Sequence, residues 1–225
     1  MWSAITMDKR GYFLIDGSHL FSSIFAIRRK RQKFKNRKLN ISVLSRVLMN
    51  KWAFDVEPAV RATFYFKKGD SRLKTMLKIP KTNKPGEKNY WQIEECAEGL
   101  KAIPEKYLQK LPKKYRDQYK REKGLDVKLA CDALILISSG KAQNIVFLVD
   151  DRDYIPLFRA VQYLGANVYL TSLSGTPNIQ EKLTDCCDRY LTLDDELDSI
   201  FGITKKESKQ RQQIIPQEKL TNGLT

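Results

Sequence analysis

Between Asn144 and Ile200 the chain alternates short apolar runs with helical patterns: "NIVFLV", a helix over Tyr154–Leu164, "ANVYL", a helix near Ile179–Cys187, "RYLTL" and a helix over Asp195–Ile200. Strands spaced this way by helices pair in parallel, because a helical crossover returns each strand in the direction of the one before. Their near-continuous apolar character suits strands buried on both faces. The chain therefore reads as α/β, a three-layer sandwich with a central, mainly parallel sheet and helices on both faces. "GYFLID" (Gly11–Asp16) opens the fold in the same way, as a short apolar run ending in the turn signal "DGS", with a helix starting near Ser18.

The intervening sequence is less regular. Apolar residues at helical spacing predict a helix over Ile41–Trp52, and "AVRATFYF" (Ala59–Phe66) has the β-branched and aromatic content of a strand. Residues 67–123 are lysine-rich and hold Pro80, Pro85, Pro104 and Pro112, with one strand-like piece, "NYWQIEE", and a helix around Glu105–Lys123. "GLDVKLACDALILISSG" (Gly124–Gly140) carries the apolar spacing of a buried helix closed by a glycine. A length of 225 residues supports one core. The expected organisation is a single domain over 1–201 with a basic arm (28–38), a lysine-rich elaboration (67–123) and a polar tail (202–225).

The formal net charge of +15 predicts a polyanionic partner. Nucleic acid fits better than membrane, since no apolar run approaches the roughly 20 residues of a spanning helix and the first residues lack the plan of a signal peptide. A cytoplasmic location is the expectation. "RRKRQKFKNRK" (Arg28–Lys38) holds eight basic residues and no acid, the composition of a solvated, mobile arm. Arg28, Arg29, Lys30, Arg31 and Lys33, with Lys123 and Arg152, are the candidate phosphate contacts. Cys96, Cys131, Cys186 and Cys187 form no C-x-x-C pair and His19 is the single histidine, which argues against a Cys/His zinc site. With imidazole so scarce, carboxylates and metal-activated water are the remaining chemistry. The sequence leaves a homo-oligomer or protein partner open.

Against this basic background, "IVFLVDDRDYIPLF" places Asp150, Asp151 and Asp153 directly after a strand. Asp16 ends the first strand. In open parallel sheets ligands bind beyond the carboxyl ends of the strands, so these carboxylates converge if the two strands are neighbours. Asp132 stands on the largely buried helix, where a charge needs a partner. Asp126, six residues earlier, points about 120° away on a regular helix, so the pair shares a target only if Asp126 sits at the cap. Each of Asp16, Asp126, Asp151 and Asp153 taken alone could be an N-cap. Four aspartates in such positions, with Asp132, favour a site. Clustered carboxylates require a positive partner, and a hard divalent cation, Mg²⁺ or Mn²⁺, suits oxygen donors. "SLSGTPN" lies at the same edge, but without G-x-G-x-x-G a dinucleotide site is not expected. His19 reads as structural.

The pieces "FLIDGSHLF", "EKGLDVKLACDALI" and "IVFLVDDRDYIPLFRAVQYLGANVYL" together resemble the NYN domain family, in the LabA-like branch of the PIN-like ribonucleases. The most specific matches are K-G-x-D-V-x-L-x-x-D and D-x-D-[YF]-x-P-L. The resemblance implies a PIN-like sheet and an Mg²⁺- or Mn²⁺-dependent endonuclease acting on RNA in preference to DNA. Asp16 would be its strand-one aspartate, Asp126 the K-G-x-D aspartate, and Asp151 and Asp153 the D-x-D pair. Asp132 resembles the helix aspartate of broader PIN domains, so either Asp126 or Asp132 would be the third ligand. Two positions depart from the pattern: His19 stands where Asn is usual, and Val149-Asp150 where Ser-Gly is usual. The alternative is a non-catalytic nucleic-acid-binding or scaffold module on the same fold.

Overall fold

The computed structural model describes residues 10–53, 59–80, 90–96, 123–174 and 181–204. Its main sheet is built from β1 (Gly11–Asp16), β3 (Ala59–Lys67), β5 (Trp91–Cys96), β6 (Asn144–Leu148), β7 (Asn167–Ser172) and β8 (Arg189–Thr192). The order is β5-β3-β1-β6-β7-β8, and every pairing is parallel. Two-residue strands β2 (Leu39–Asn40) and β4 (Leu77–Lys78) form a separate ladder. The helices are α1 (Gly17–Lys30), α2 (Ile41–Lys51), α3 (Arg72–Met76), α4 (Lys123–Ser138), α5 (Ile155–Tyr163), α6 (Glu181–Thr184) and α7 (Leu197–Ile200).

Side chains alternate across the sheet and build two cores. Phe13 and Ile15 of β1 face α1, α2 and α7, whereas Leu14 faces α4, α5 and α6. Chain direction across the sheet reverses its progress at β1: the sequence moves outward to β3 and β5, then resumes on the other side of β1 with β6. That switch point opens a crevice at the carboxyl ends of β1 and β6, where an α/β sheet places its ligands. Pairing from Gly11↔Asn144 to Ile15↔Leu148 thus makes the two aspartate-bearing strands neighbours, as the sequence argument required.

Gly17 holds the opening of α1 against β3. A Cβ there would lie 2.1 Å from the Phe66 ring and 2.4 Å from the Tyr65 carbonyl oxygen, so the helix starts where it does because that atom is missing. The "DGS" signal therefore reflects a close approach of backbones as well as a turn.

Residues 28–38 differ from the expected mobile arm. Arg28–Lys30 complete α1, a short 3₁₀ turn covers Gln32–Phe34, and Phe34 is fully buried against Phe201. Arg31 pairs with Asp194 at 2.8 Å and Lys33 with Asp198 at 2.5 Å. Basic composition signalled solvation, but one buried aromatic and acidic partners far along the chain hold the segment down. The strand-like piece of the lysine-rich stretch is β5, an edge strand of the main sheet; the helix expected around Glu105–Lys123 and most of the tail expected over 202–225 lie outside the described residues. No helix among the described residues is long and apolar enough to cross a membrane.

Candidate active site

Asp16 ends β1 on the face shared with Leu14 and is only 6% exposed. Its Oδ1 accepts the backbone N–H groups of Ser18 (2.7 Å) and His19 (3.1 Å), so it caps α1. Its other oxygen, Oδ2, lies 3.0 Å from the Tyr154 hydroxyl, which is also 2.9 Å from Asp126 Oδ1. The cap reading is thus correct for one oxygen and incomplete for the carboxylate. Burial pushes the Asp16 carboxyl above its ordinary range; the His19 N–H opposes that rise and Asp126 adds to it. Burial and the same two carboxylates push the Tyr154 phenol up. A phenol has one hydrogen to donate. It can serve only one of two ionised carboxylates at a time.

Asp126 lies inside the first turn of α4 rather than at a cap. Asp132 lies about 120° further around that helix, where Lys128 Nζ contacts its two oxygens at 2.5 and 2.6 Å and the Tyr65 hydroxyl donates at 3.0 Å. Its hydrogen bond to Asp132 raises the Lys128 pKa. Burial raises that of Tyr65, with Asp132 and Glu94 adding to it. Asp132 therefore has a countercharge of its own, and of the two alternatives Asp126 is the one brought to Asp16. The register Asp16↔Tyr65↔Glu94 sets Glu94 in the same row of the sheet, a carboxylate that the sequence reading passed over.

Beyond β6, Asp151 Oδ1 accepts the Asp153 N–H at 3.0 Å and caps the 3₁₀ turn Arg152–Tyr154. Asp151, Arg152 and Asp153 are exposed beside the crevice. Asp150 Oδ2 comes within 2.8 Å of His19 Nδ1, a buried nitrogen for which no hydrogen bond is formed among the described residues. The two positions that depart from the family pattern thus face each other. His19 Nε2 is 3.3 Å from Ser23 Oγ.

Among the described residues no three His, Cys, Asp or Glu side chains form a ready cation site. The nearest convergence is Asp16 with Asp126 through Tyr154. Those donors fit a hard divalent cation in kind: all are oxygens, and two carboxylates share a single phenolic hydrogen. Of the predicted phosphate contacts, Arg152 lies on the adjoining turn, whereas those of the basic segment do not gather around this point. A helix of about 20 Å separates Asp16 from Arg31, Arg28 is half-buried and donates to the Arg37 carbonyl at 2.5 Å, and Arg29 and Lys30 are exposed. Lys123 opens α4, and its side chain lies outside the described residues.

The sequence model of the NYN domain matches residues 13–194. The chain belongs to the NYN domain family. An NYN domain carries a PIN-like, nuclease-type fold, and the match takes in the crevice between β1 and β6 with all five candidate aspartates. Neither the curated proteins nor the solved structures compared with the chain include a match.

Proposed function

We propose that this NYN domain is a metal-dependent endonuclease that hydrolyses phosphodiester bonds in RNA, in preference to DNA, in the cytoplasm. The observation that carries the reading is the Asp16–Tyr154–Asp126 contact at the switch point of a parallel sheet, in a chain of net charge +15. Asp16 and Asp126 would hold Mg²⁺ or Mn²⁺, with Asp151 and Asp153 on the adjoining turn adding oxygens. When bound, such an ion polarises a phosphoryl oxygen and makes water a better nucleophile near neutral pH. The chain's own contribution is positioning. Capping fixes Asp16, Tyr154 sets Asp126 beside it, and exposed Arg152, Arg29 and Lys30 attract the phosphate backbone. Asp132, with its lysine and tyrosine, supports α4 from outside this group.

The deciding experiment incubates the purified protein with mixed RNA, and separately with DNA, in Mn²⁺, with EDTA and Asp16→Asn as controls. Cleavage of RNA that disappears in both controls is the expected result. Equal cleavage in all arms rejects the metal mechanism. RNA retention without cleavage over a broad substrate panel favours the second reading, a binding or scaffold module on the same fold. For the basic surface, Arg29→Ser with Lys30→Ser should flatten the log–log salt dependence of single-strand binding by about 0.7 per lost phosphate contact. An unchanged slope removes those residues from the interface.

A further inference from the structure

We propose that Tyr154 is the positioning residue of this site: its one hydroxyl, bridging Asp16 and Asp126, presents the two carboxylates to a divalent cation as a preformed pair. The inference rests on the metal-dependent reading above and concerns what the protein does before a cation arrives. The phenol oxygen lies 3.0 Å from Asp16 Oδ2 and 2.9 Å from Asp126 Oδ1, joining β1 to the first turn of α4. Its ring is buried among residues of α4 and α5, so the hydroxyl has a fixed origin. Tyr154 also closes the 3₁₀ turn capped by Asp151, which ties the turn bearing Asp151 and Asp153 to the same point. Without the hydroxyl, Asp126 would confront Asp16 across like charge with no shared hydrogen, on a helix turn whose outer surface is exposed.

Tyr65 supplies the internal control. Its hydroxyl also donates to a carboxylate on α4, but Lys128 already neutralises that carboxylate.

The test compares full-length wild type, Tyr154→Phe and Tyr65→Phe by amide hydrogen exchange over residues 123–129 and by Mn²⁺ titration with electron paramagnetic resonance of the free ion. Tyr154→Phe keeps the ring and removes one oxygen. It should speed exchange in the first turn of α4 and weaken Mn²⁺ binding about tenfold, the order of one charge-assisted hydrogen bond. Tyr65→Phe should leave Mn²⁺ affinity within twofold of wild type. A merely structural hydroxyl would lower the melting temperature of Tyr154→Phe without touching Mn²⁺ affinity, and that result overturns the proposal while the metal reading stands. A wild type that binds no Mn²⁺ rejects the metal reading itself; wild-type exchange in Tyr154→Phe then rejects the link between β1 and α4 as well. Asp126→Asn closes a double-mutant cycle: adding Tyr154→Phe to it should cost little further affinity, and full additivity would show that the two residues do not act together.

Discussion

Two tyrosine–carboxylate units meet α4, and they differ in one component. Tyr65 meets Asp132, and Lys128, one turn earlier on the same helix, completes that unit with a positive charge. Tyr154 meets Asp16 and Asp126, yet among the described residues no lysine or arginine pairs with Asp16. Two backbone N–H groups at the start of α1 and a shared phenolic hydrogen compensate it. Density of carboxylates therefore does not identify a cation site by itself. The partners around each carboxylate differ: Asp132 has Lys128 beside it, whereas Asp16 is met by backbone N–H groups and a phenol, which is why the proposed cation is assigned to the second unit.

The largest expected effect separates the units directly. Asp16→Asn should reduce metal-dependent cleavage on the order of 10³-fold, as for removal of a group that stabilises transition-state charge. Melting of the cation-free variant should hold or rise, because the amide oxygen still caps α1 and a buried like charge is gone. Loss of cation-free stability with activity retained would mean that Asp16 is only a cap.

Next in size is Gly17→Ala, which forces the start of α1 off β3 and should cost about 3 kcal/mol by denaturant titration, with cleavage falling as Asp16 moves. A near-neutral Gly17→Ala would show that the approach of α1 to β3 is looser than the close Cβ contacts require. Asp132→Asn should cost about 1 kcal/mol, since its partner Lys128 is half-exposed and solvent screens the pair; cleavage should stay within a few-fold of wild type. Equal loss of cleavage in Asp16→Asn and Asp132→Asn would erase the distinction and bring Asp132 into the site.

The smallest effect comes from a carboxylate given its own guanidinium. Arg72 donates from Nε and Nη2 to Asp70 and holds its carboxyl below the ordinary range. A depressed folded-state pKa stabilises above the unfolded value, about 3.9, and the gain disappears as pH falls through the lower folded value. Asp70→Asn should thus cost less than about 1 kcal/mol near neutrality and nothing once both forms are protonated. A deficit in melting temperature that persists at the acid end would point to packing rather than charge.

Strands β1, β6, β7 and β8 were legible because strands buried on both faces in a parallel sheet become unbroken apolar runs. The place of the candidate site was legible as far as chain adjacency carried: Asp16, Asp151 and Asp153 follow the ends of β1 and β6, which pair in parallel. Which of Asp126 and Asp132 shares a partner with Asp16 was not legible, because it depends on which tyrosine arrives from another element. Tyr65 sits in a strand and Tyr154 in a turn, and neither position reveals which carboxylate its hydroxyl meets. One local signal was available, the Lys128–Asp132 spacing of four residues, which on a helix predicts an ion pair. Glu94 emerges only from strand register. The basic run misled for a related reason, since its acidic partners lie more than 160 residues away.

The pairing of β1 with β6 also sets a timetable. Tyr154 lies 138 residues after Asp16, so a ribosome adding roughly 5–20 residues per second needs about 7 to 28 seconds to supply it. Until Asp126 emerges the nascent chain holds one carboxylate of the pair, and until β6 emerges it holds a central strand with one edge uncovered. Closure of so long a loop places the protein among slow, non-local folders. A polypeptide truncated before β6 would expose an apolar edge to other chains, and it would do so before the crevice between β1 and β6 exists.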